Sequence, residues 1–429
     1  MGRRCPLTNK MMPNRRKFLK ATGFTGLGTF LFSNTFPHQI TPSIENSYNM
    51  AEQTVIGNYG EWARSLTANR LPSLSFRKKE LTDLNQWKSA ARQRVRERMA
   101  IPDIGGTPKV TVNKQYQYDG LHIEELTWQL PYGRPTEGVL LKPANATGRL
   151  PAVLALHDHG GNKYYGSRKI VRLSDKLPAG IEEHQKTYYE GKGWANELAK
   201  RGYAVLVPDA FPFASRRVMI ADVPEARRHN YKDPNPGSVE EIAKYNDWAS
   251  AHEEIMGKSL FSAGTTWPGV WLAEDIKALD VLSARPDVDK NRIGCGGLSG
   301  GGMRSVYLAG LDDRIKCAVP VGFMTTWNDF ALYKSYTHTW MIYIPLLPNE
   351  LDFPEILGLR APLSSLVLNN NEDQLFTLSE MKRADAILKE VYDKAGSADK
   401  YRCSFYPGLH KFDAKMQDEA FKWFDQWLI

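Results

Sequence analysis

From Leu81 onward the apolar positions fall at three- and four-residue spacing. Leu81, Leu84, Trp87, Ala91, Val95 and Met99 lie on one face of a predicted helix, stopped by Pro102. The segment before it, from Glu45 to about Leu74, is polar and irregular and reads as a linker or a surface wrap. After Pro102 the period changes to two. Val110 to Tyr118, His122 to Gln129 and Glu137 to Lys142 read as strands, separated by turns at Asp119-Gly120 and Pro131-Tyr132-Gly133. From Ala152 the pattern changes again, to short, solidly apolar strands alternating with amphipathic helices. The strands are Ala152–Leu156, Ala204–Val207, Arg292–Gly296, Ile315–Val321, Leu363–Leu368 and Tyr401–Tyr406; the helices are Trp194–Lys200, Trp271–Ala284, Leu378–Val391 and a C-terminal helix carrying Phe421, Trp423, Phe424 and Trp427. Such alternation predicts an α/β protein: a mostly parallel central sheet with helices on both faces and an antiparallel N-terminal strand region.

Two stretches interrupt the alternation. Residues 211–263 are polar with few regular signals, and residues 322–354 are rich in Trp and Tyr. Insertions of this size at strand ends usually cover or shape a site. The aromatic one suits stacking against sugars or other planar faces, and equally suits ordinary core.

Charge divides the chain. Arg3, Arg4, Lys10, Arg15, Arg16, Lys17 and Lys20 precede the first acid, Glu45, leaving only +1 of the formal +8 for everything after it. The basic balance therefore belongs to a leader and is no argument for a nucleic-acid partner. Within the leader, Asn14-Arg15-Arg16-Lys17-Phe18-Leu19-Lys20 precedes a modest apolar run from Ala21 to Phe32, the form of a twin-arginine export signal. The run is too short and weak for a comfortable membrane span. The predicted organisation is an export signal and linker at 1–45, a helical extension at 46–105 and a catalytic domain at 106–429, exported to the periplasm or beyond. Of the four cysteines, Cys5 lies in the leader, and Cys295, Cys317 and Cys403 sit in strand-like runs as buried thiols.

Gly297-Leu298-Ser299-Gly300-Gly301 is a G-x-S-x-G pattern between a predicted strand and a helix. A turn this tight strains the serine backbone and exposes its hydroxyl, while the helix that follows aims free N–H groups at the same spot. A dinucleotide loop would need G-x-G-x-x-G, but counting from Gly294 the sixth position is Ser299. Asp373 follows the Leu363–Leu368 strand, and His410 follows the last strand. Three parallel strands thus bring Ser299, Asp373 and His410 to one sheet edge. Serine needs a base to take its proton, histidine can take and return it, and a carboxylate fixes the histidine tautomer. Glu372 is the rival acid. The strand Ala152–Leu156 runs into His157-Asp158-His159-Gly160-Gly161, where a backbone N–H at His159 or Gly160 would join that of Gly300 as an oxyanion donor. Read as metal ligands, His157, Asp158 and His159 are awkward, since successive strand residues face opposite ways; His157 suits a structural role bonding the loop. No cofactor and no metal are expected.

These residues, together with Arg285-Pro286-Asp287-Val288-Asp289, Arg292-Ile293-Gly294 and Gly408-Leu409-His410, resemble α/β-hydrolases of the dienelactone-hydrolase and acetyl-xylan-esterase-like group from about Tyr116 to the C-terminus. The resemblance implies the α/β-hydrolase fold and a serine nucleophile, although dienelactone hydrolases proper use cysteine where this chain has Ser299. The expected activity is an exported serine esterase of small-acyl (acetyl) type, acting on a small-molecule or carbohydrate ester. No stable membrane span is expected beyond a signal left uncleaved, and the oligomeric state is left open. The alternatives are a serine peptidase or amidase of prolyl-oligopeptidase type, or a catalytically silent binding protein on the same fold.

Overall fold

The computed structural model describes residues 53–68 and 71–429; the leader and Cys5 lie outside the described residues. Gln53–Ile429 forms a compact unit. Among the described residues nine strands make a single sheet: β1 (Val110–Tyr118), β2 (Leu121–Trp128), β3 (Thr136–Pro143), β4 (Leu150–Ala155), β5 (Ala204–Pro208), β6 (Val288–Leu298), β7 (Ile315–Val321), β8 (Ser364–Asn370) and β9 (Tyr401–Tyr406). They lie side by side in the order β1-β2-β3-β5-β4-β6-β7-β8-β9. β1, β2 and β3 pair antiparallel, and β3 meets β5 antiparallel; every pair from β5 to β9 is parallel. The β1–β2 turn is Asp119-Gly120, both with positive φ, the backbone that a two-residue hairpin requires.

The apolar runs are explained by burial on both faces. Along β4, Ala152, Leu154 and Leu156 enter one core, while Val153 and Ala155 enter the other. Ala204 and Leu206 of β5 alternate with Val205 and Val207 in the same way. The first core is covered by the helices Leu84–Met99, Trp267–Ser283, Gly300–Leu311 and Leu378–Lys394; the second is covered by Trp194–Lys200 and Ala414–Leu428. This is the α/β-hydrolase fold. Its chain leaves β4 for β5 on one side and later returns to β6 on the other, so β4 and β6 flank the point where strand order reverses. Ligands of open α/β sheets bind at such a point.

Several element boundaries differ from the sequence reading. The segment before the first strand includes a helix, Gly60–Ala68. The next helix starts at Leu84, where the Asp83 carboxylate caps the N–H groups of Asn85 and Gln86, and it ends at Ala100 in the left-handed region, ahead of Pro102. The helix before the elbow begins at Trp267, capped by Thr266, with Pro268 in its first turn, where a missing N–H costs nothing. The largest correction concerns residues 211–263. They contain a 24-residue helix, Val239–Ser262, capped by Ser238. Its buried positions Ile242, Tyr245, Trp248, Ala249 and His252 recur at helical spacing; the first four pack with Tyr164, Tyr165 and Ile220 in a small third core, and His252 stacks on Trp248. In the aromatic insertion Phe323, Trp327, Phe330 and Phe353 are buried in the first core, Tyr333, Trp340 and Tyr343 are half-buried, and Tyr336 is exposed.

The two insertions touch. Gly257 of the Val239–Ser262 helix lies so close to Trp340 that a Cβ there would stand 2.5 Å from the Trp340 side chain. Phe261 adds an edge contact to the same indole. Gly257→Leu should therefore push Trp340 off the helix and lower the denaturant midpoint, with a loss of about 1–3 kcal/mol; unchanged stability would show that the contact does not join the two segments.

Candidate active site

β6 runs into the helix Gly300–Leu311 through a single residue, Ser299, whose φ of 59° and ψ of −118° lie outside the ordinary regions for a side-chain-bearing residue. The surroundings hold it there. The Ser299 N–H donates to the Val321 carbonyl at 2.8 Å, and the Met303 N–H donates back to the Ser299 carbonyl at 2.9 Å. The flanking glycines are compelled by space: a Cβ at Gly297 or at Gly301 would come within 2.0 Å of the Leu156 carbonyl oxygen, and one at Gly302 within 2.5 Å of the Val321 oxygen. The helix therefore leaves the strand pressed against the ends of β4 and β7, and the Ser299 residue is left partly exposed at the sheet edge.

His410 follows β9 and Asp373 follows β8. The His410 Nδ1–H donates to Asp373 Oδ2 at 2.6 Å, while Asp373 Oδ1 accepts the Leu375 N–H at 3.0 Å. A carboxylate only accepts, so the proton sits on Nδ1 and Nε2 is the basic nitrogen. Asp373 is buried and the His410 side chain is 14% exposed. The imidazole lies over Gly322 at the end of β7. A Cβ on Gly322 would stand 2.9 Å from His410 Cε1 and 3.0 Å from Leu298 Cδ1, which places the ring beside the residue preceding Ser299. The rival acid, Glu372, is exposed and turns away, accepting the Gly408 N–H at 3.2 Å. The His410 loop is tied to β8 by the Lys411 N–H on the Asn370 side chain at 3.2 Å.

The loop after β4 faces the elbow helix. The His159 backbone nitrogen is 3.2 Å from the position a Cβ on Gly300 would take. Gly160 has a positive φ, and a Cβ there would lie 2.3 Å from the Asp158 carboxylate and 2.6 Å from the His184 ring. His157, Asp158 and His159 turn to different partners, so they do not converge on one point as a metal site would require. His157 Nδ1–H donates to the Asp158 carbonyl at 2.9 Å, and its buried ring packs edge-on against Phe213. Burial, with Lys169 and Arg304 nearby, holds its pKa well below the ordinary histidine value. Asp158 accepts from the Tyr189 hydroxyl and pairs with His184 at 3.2 Å. Burial alone would raise its pKa, but His184 and Lys169 keep it well below the ordinary carboxylate range.

The sequence reading missed the charged supports of this loop. His159 Nδ1 accepts the Gly161 N–H at 3.0 Å, which leaves Nε2–H to donate to Glu253 Oε1 at 2.6 Å. Glu253 belongs to the Val239–Ser262 helix and also pairs with Lys163. Lys169, completely buried, donates to the Asp158 and His159 carbonyls. No motif marks Lys163, Lys169 or Glu253; the helical spacing around His252 is the sequence signal that would have directed Glu253 inward. Cys295 and Cys317 are buried and Cys403 half-buried, all as free thiols. Burial pushes the Cys295 and Cys317 thiols up to about 12.

Burial would raise the Glu253 pKa, but the Lys163 ammonium and His159 more than offset it and bring it down to about 2. A carboxylate depressed on folding stabilises the native state above its unfolded pKa, and that contribution is lost as pH falls through the folded value. The stability advantage of the parent over Glu253→Gln should therefore be complete above about pH 4.5 and shrink towards about pH 2. Urea unfolding of both proteins across this range checks it; a difference independent of pH would contradict the assignment.

Comparison with known proteins finds likenesses to hydrolases. A model of the prolyl oligopeptidase family matches residues 254–359, the stretch that carries the elbow. YtaP of Bacillus subtilis (strain 168), provisionally described as a hydrolase, is 27% identical over 309 residues, covering 71% of this chain and 88% of its own. A Bacteroides fragilis protein provisionally described as an acetyl xylan esterase superposes with a TM-score of 0.60 at 18% identity, covering 82% of each chain. A glucuronoyl esterase from Solibacter usitatus superposes with a TM-score of 0.57 at 16% identity, covering 83% of this chain and 98% of its own.

Proposed function

For a chain with the α/β-hydrolase fold and these hydrolase relatives, we propose the activity of a serine carboxylic-ester hydrolase that works through an acyl-enzyme. The observation that carries this reading is the His410–Asp373 hydrogen bond at 2.6 Å, with the imidazole lying against Gly322 beside the strained Ser299 turn. Ser299 Oγ attacks the ester carbonyl carbon as His410 Nε2 takes its proton. The carbonyl oxygen becomes an oxyanion, which the Gly300 and His159 N–H groups receive; His159 is favoured over Gly160 by its nitrogen, 3.2 Å from the position a Cβ on Gly300 would take. Collapse of the intermediate breaks the bond to the alcohol oxygen, which leaves with the proton from His410. Water then repeats the sequence on the acyl-Ser299 ester and frees the acid. Asp373 holds the imidazole in the tautomer with Nδ1 protonated and stabilises the imidazolium.

The substrate in this reading is a small-acyl, acetyl-type ester on a carbohydrate or related alcohol. It is supported by the esterase neighbours. Export completes it, supported by the twin-arginine-like leader. No described helix is long and apolar enough to cross a membrane. A second reading, an amide-cleaving serine peptidase, is favoured by the prolyl oligopeptidase match at 254–359.

Ser299→Ala should abolish turnover of p-nitrophenyl acetate and labelling by a fluorophosphonate probe, without loss of fold by circular dichroism. Near-parental activity in the variant would overturn the mechanism. Asp373→Asn should lower kcat by about 10⁴-fold, whereas Glu372→Gln should leave it near the parental value; the reverse ranking would reassign the acid. Hydrolysis of acetyl esters with little activity on longer acyl chains is expected. Cleavage of peptide amides in their place would favour the second reading.

A further inference from the structure

The two loop carbonyls opposite the elbow point at a buried cation. Lys169 Nζ is 2.7 Å from the Asp158 carbonyl oxygen and 3.0 Å from that of His159, and the residue is 0% exposed. The Asp158 carbonyl also accepts the His157 Nδ1–H at 2.9 Å, and the His159 carbonyl also accepts the Asn162 N–H at 3.0 Å. Both acceptor positions on each oxygen are therefore taken. A trans peptide is planar, so its N–H points away from its C=O. With the Asp158 oxygen held towards Lys169 and His157, the His159 N–H of the same peptide unit is turned the other way. That amide nitrogen is the atom found 3.2 Å from the Cβ position of Gly300.

Lys169 is itself fixed by the sheet. It ends the short turn Ser167–Lys169, whose Ser167 N–H donates at 2.7 Å to Asp209, the residue that follows β5. Its ammonium lies 4.6 Å from the Phe213 ring centroid and 3.7 Å from the Asp158 carboxylate. Burying an ammonium is costly unless it is paired and hydrogen-bonded, and its two direct donations at these distances go to the peptide oxygens behind the loop.

We propose that Lys169 is a positioning residue of the ester-cleaving site: by holding the Asp158 and His159 carbonyls it aims the His159 N–H at the oxygen that becomes the oxyanion. This rests on the reading of Ser299 and His159 given above. The positive charge behind the peptide also strengthens that N–H as a donor. The effect is felt in the transition state and not in the bound ester, because negative charge builds on the substrate oxygen only as the tetrahedral intermediate forms.

The test uses Lys169→Met in the full chain, assayed on p-nitrophenyl acetate beside the parent and Ser299→Ala. With removal of an oxyanion donor itself reducing kcat by about 10²–10³-fold, a misaimed donor should lower kcat by about 10–100-fold with KM changed by less than about threefold. Affinity for a trifluoromethyl ketone, which forms a tetrahedral adduct, should weaken by a similar factor. A merely structural role would lower the melting temperature without this matched loss. Should Lys169→Met fail to fold, His157→Phe keeps a ring against Phe213, removes the other donor to the Asp158 carbonyl, and should give a smaller loss of the same kind. Parental kcat and ketone affinity in the folded variant overturn the inference and leave the serine mechanism standing. A parent protein that neither cleaves esters nor labels at Ser299 overturns that mechanism and the inference with it.

Discussion

The contact on which the site depends is the close approach of the elbow to the end of β4. The Leu156 carbonyl oxygen occupies space that side chains at Gly297 and Gly301 would need, so strand and helix meet there only as glycine backbone. This crowding leaves Ser299 its positive φ and presents its side chain at the sheet edge. The same strand end continues directly into the His157–Gly161 loop. One β4–β6 junction, where the strand order reverses, therefore positions both the candidate nucleophile and the backbone amides opposite it. The His410–Asp373 pair arrives from β8 and β9, and its ring lies over Gly322 at the end of the strand between.

Charge is concentrated behind this junction, where water is excluded. Asp158 draws on Tyr189 and His184, Lys169 holds two carbonyls, and Glu253 joins His159 to Lys163. Buried ionic groups seldom add much stability for their cost, and their best-attested use is to specify one arrangement. Here the arrangement is that of a loop whose amides face the elbow. Glu253 comes from the Val239–Ser262 helix, which also receives Trp340 from the second insertion. The two insertions are thus tied to each other and, through Glu253, to the loop opposite the elbow.

The parallel direction of the main sheet and the positions of Ser299, Asp373 and His410 just after three of its strands were legible in the sequence because each rests on a local pattern, whereas the order of the strands is set by pairings distant in sequence. β4 and β5 are short and apolar because both faces are buried, and the G-x-S-x-G spacing is set by contacts within a few residues of Ser299. The choice between Asp373 and Glu372 was not legible: adjacent acids differ only in which one the β8–β9 connection turns inward. The Val239–Ser262 helix was obscured by its polar residues, since just one stripe of it meets a small satellite core. Lys169 was invisible for a different reason. Lone lysines are solvated far more often than buried, and only the tertiary fold brings two carbonyls to this one. The Trp- and Tyr-rich insertion read ambiguously between core and sugar platform; Phe323, Trp327, Phe330 and Phe353 join the first core, while Tyr333, Trp340 and Tyr343 are half-buried and Tyr336 is exposed.

The most direct test of the central claim, a covalent acyl-enzyme on Ser299, is rapid mixing of the protein with excess p-nitrophenyl acetate, with acid quench and peptide mapping by mass spectrometry. An acyl-enzyme gives a pre-steady-state release of nitrophenol of up to one equivalent per chain when deacylation is the slower step, with the acetyl group recovered on the peptide containing Ser299. Turnover accompanied by acetyl on a different residue, or an unmodified Ser299 peptide when deacylation is slowed by low pH, would contradict it.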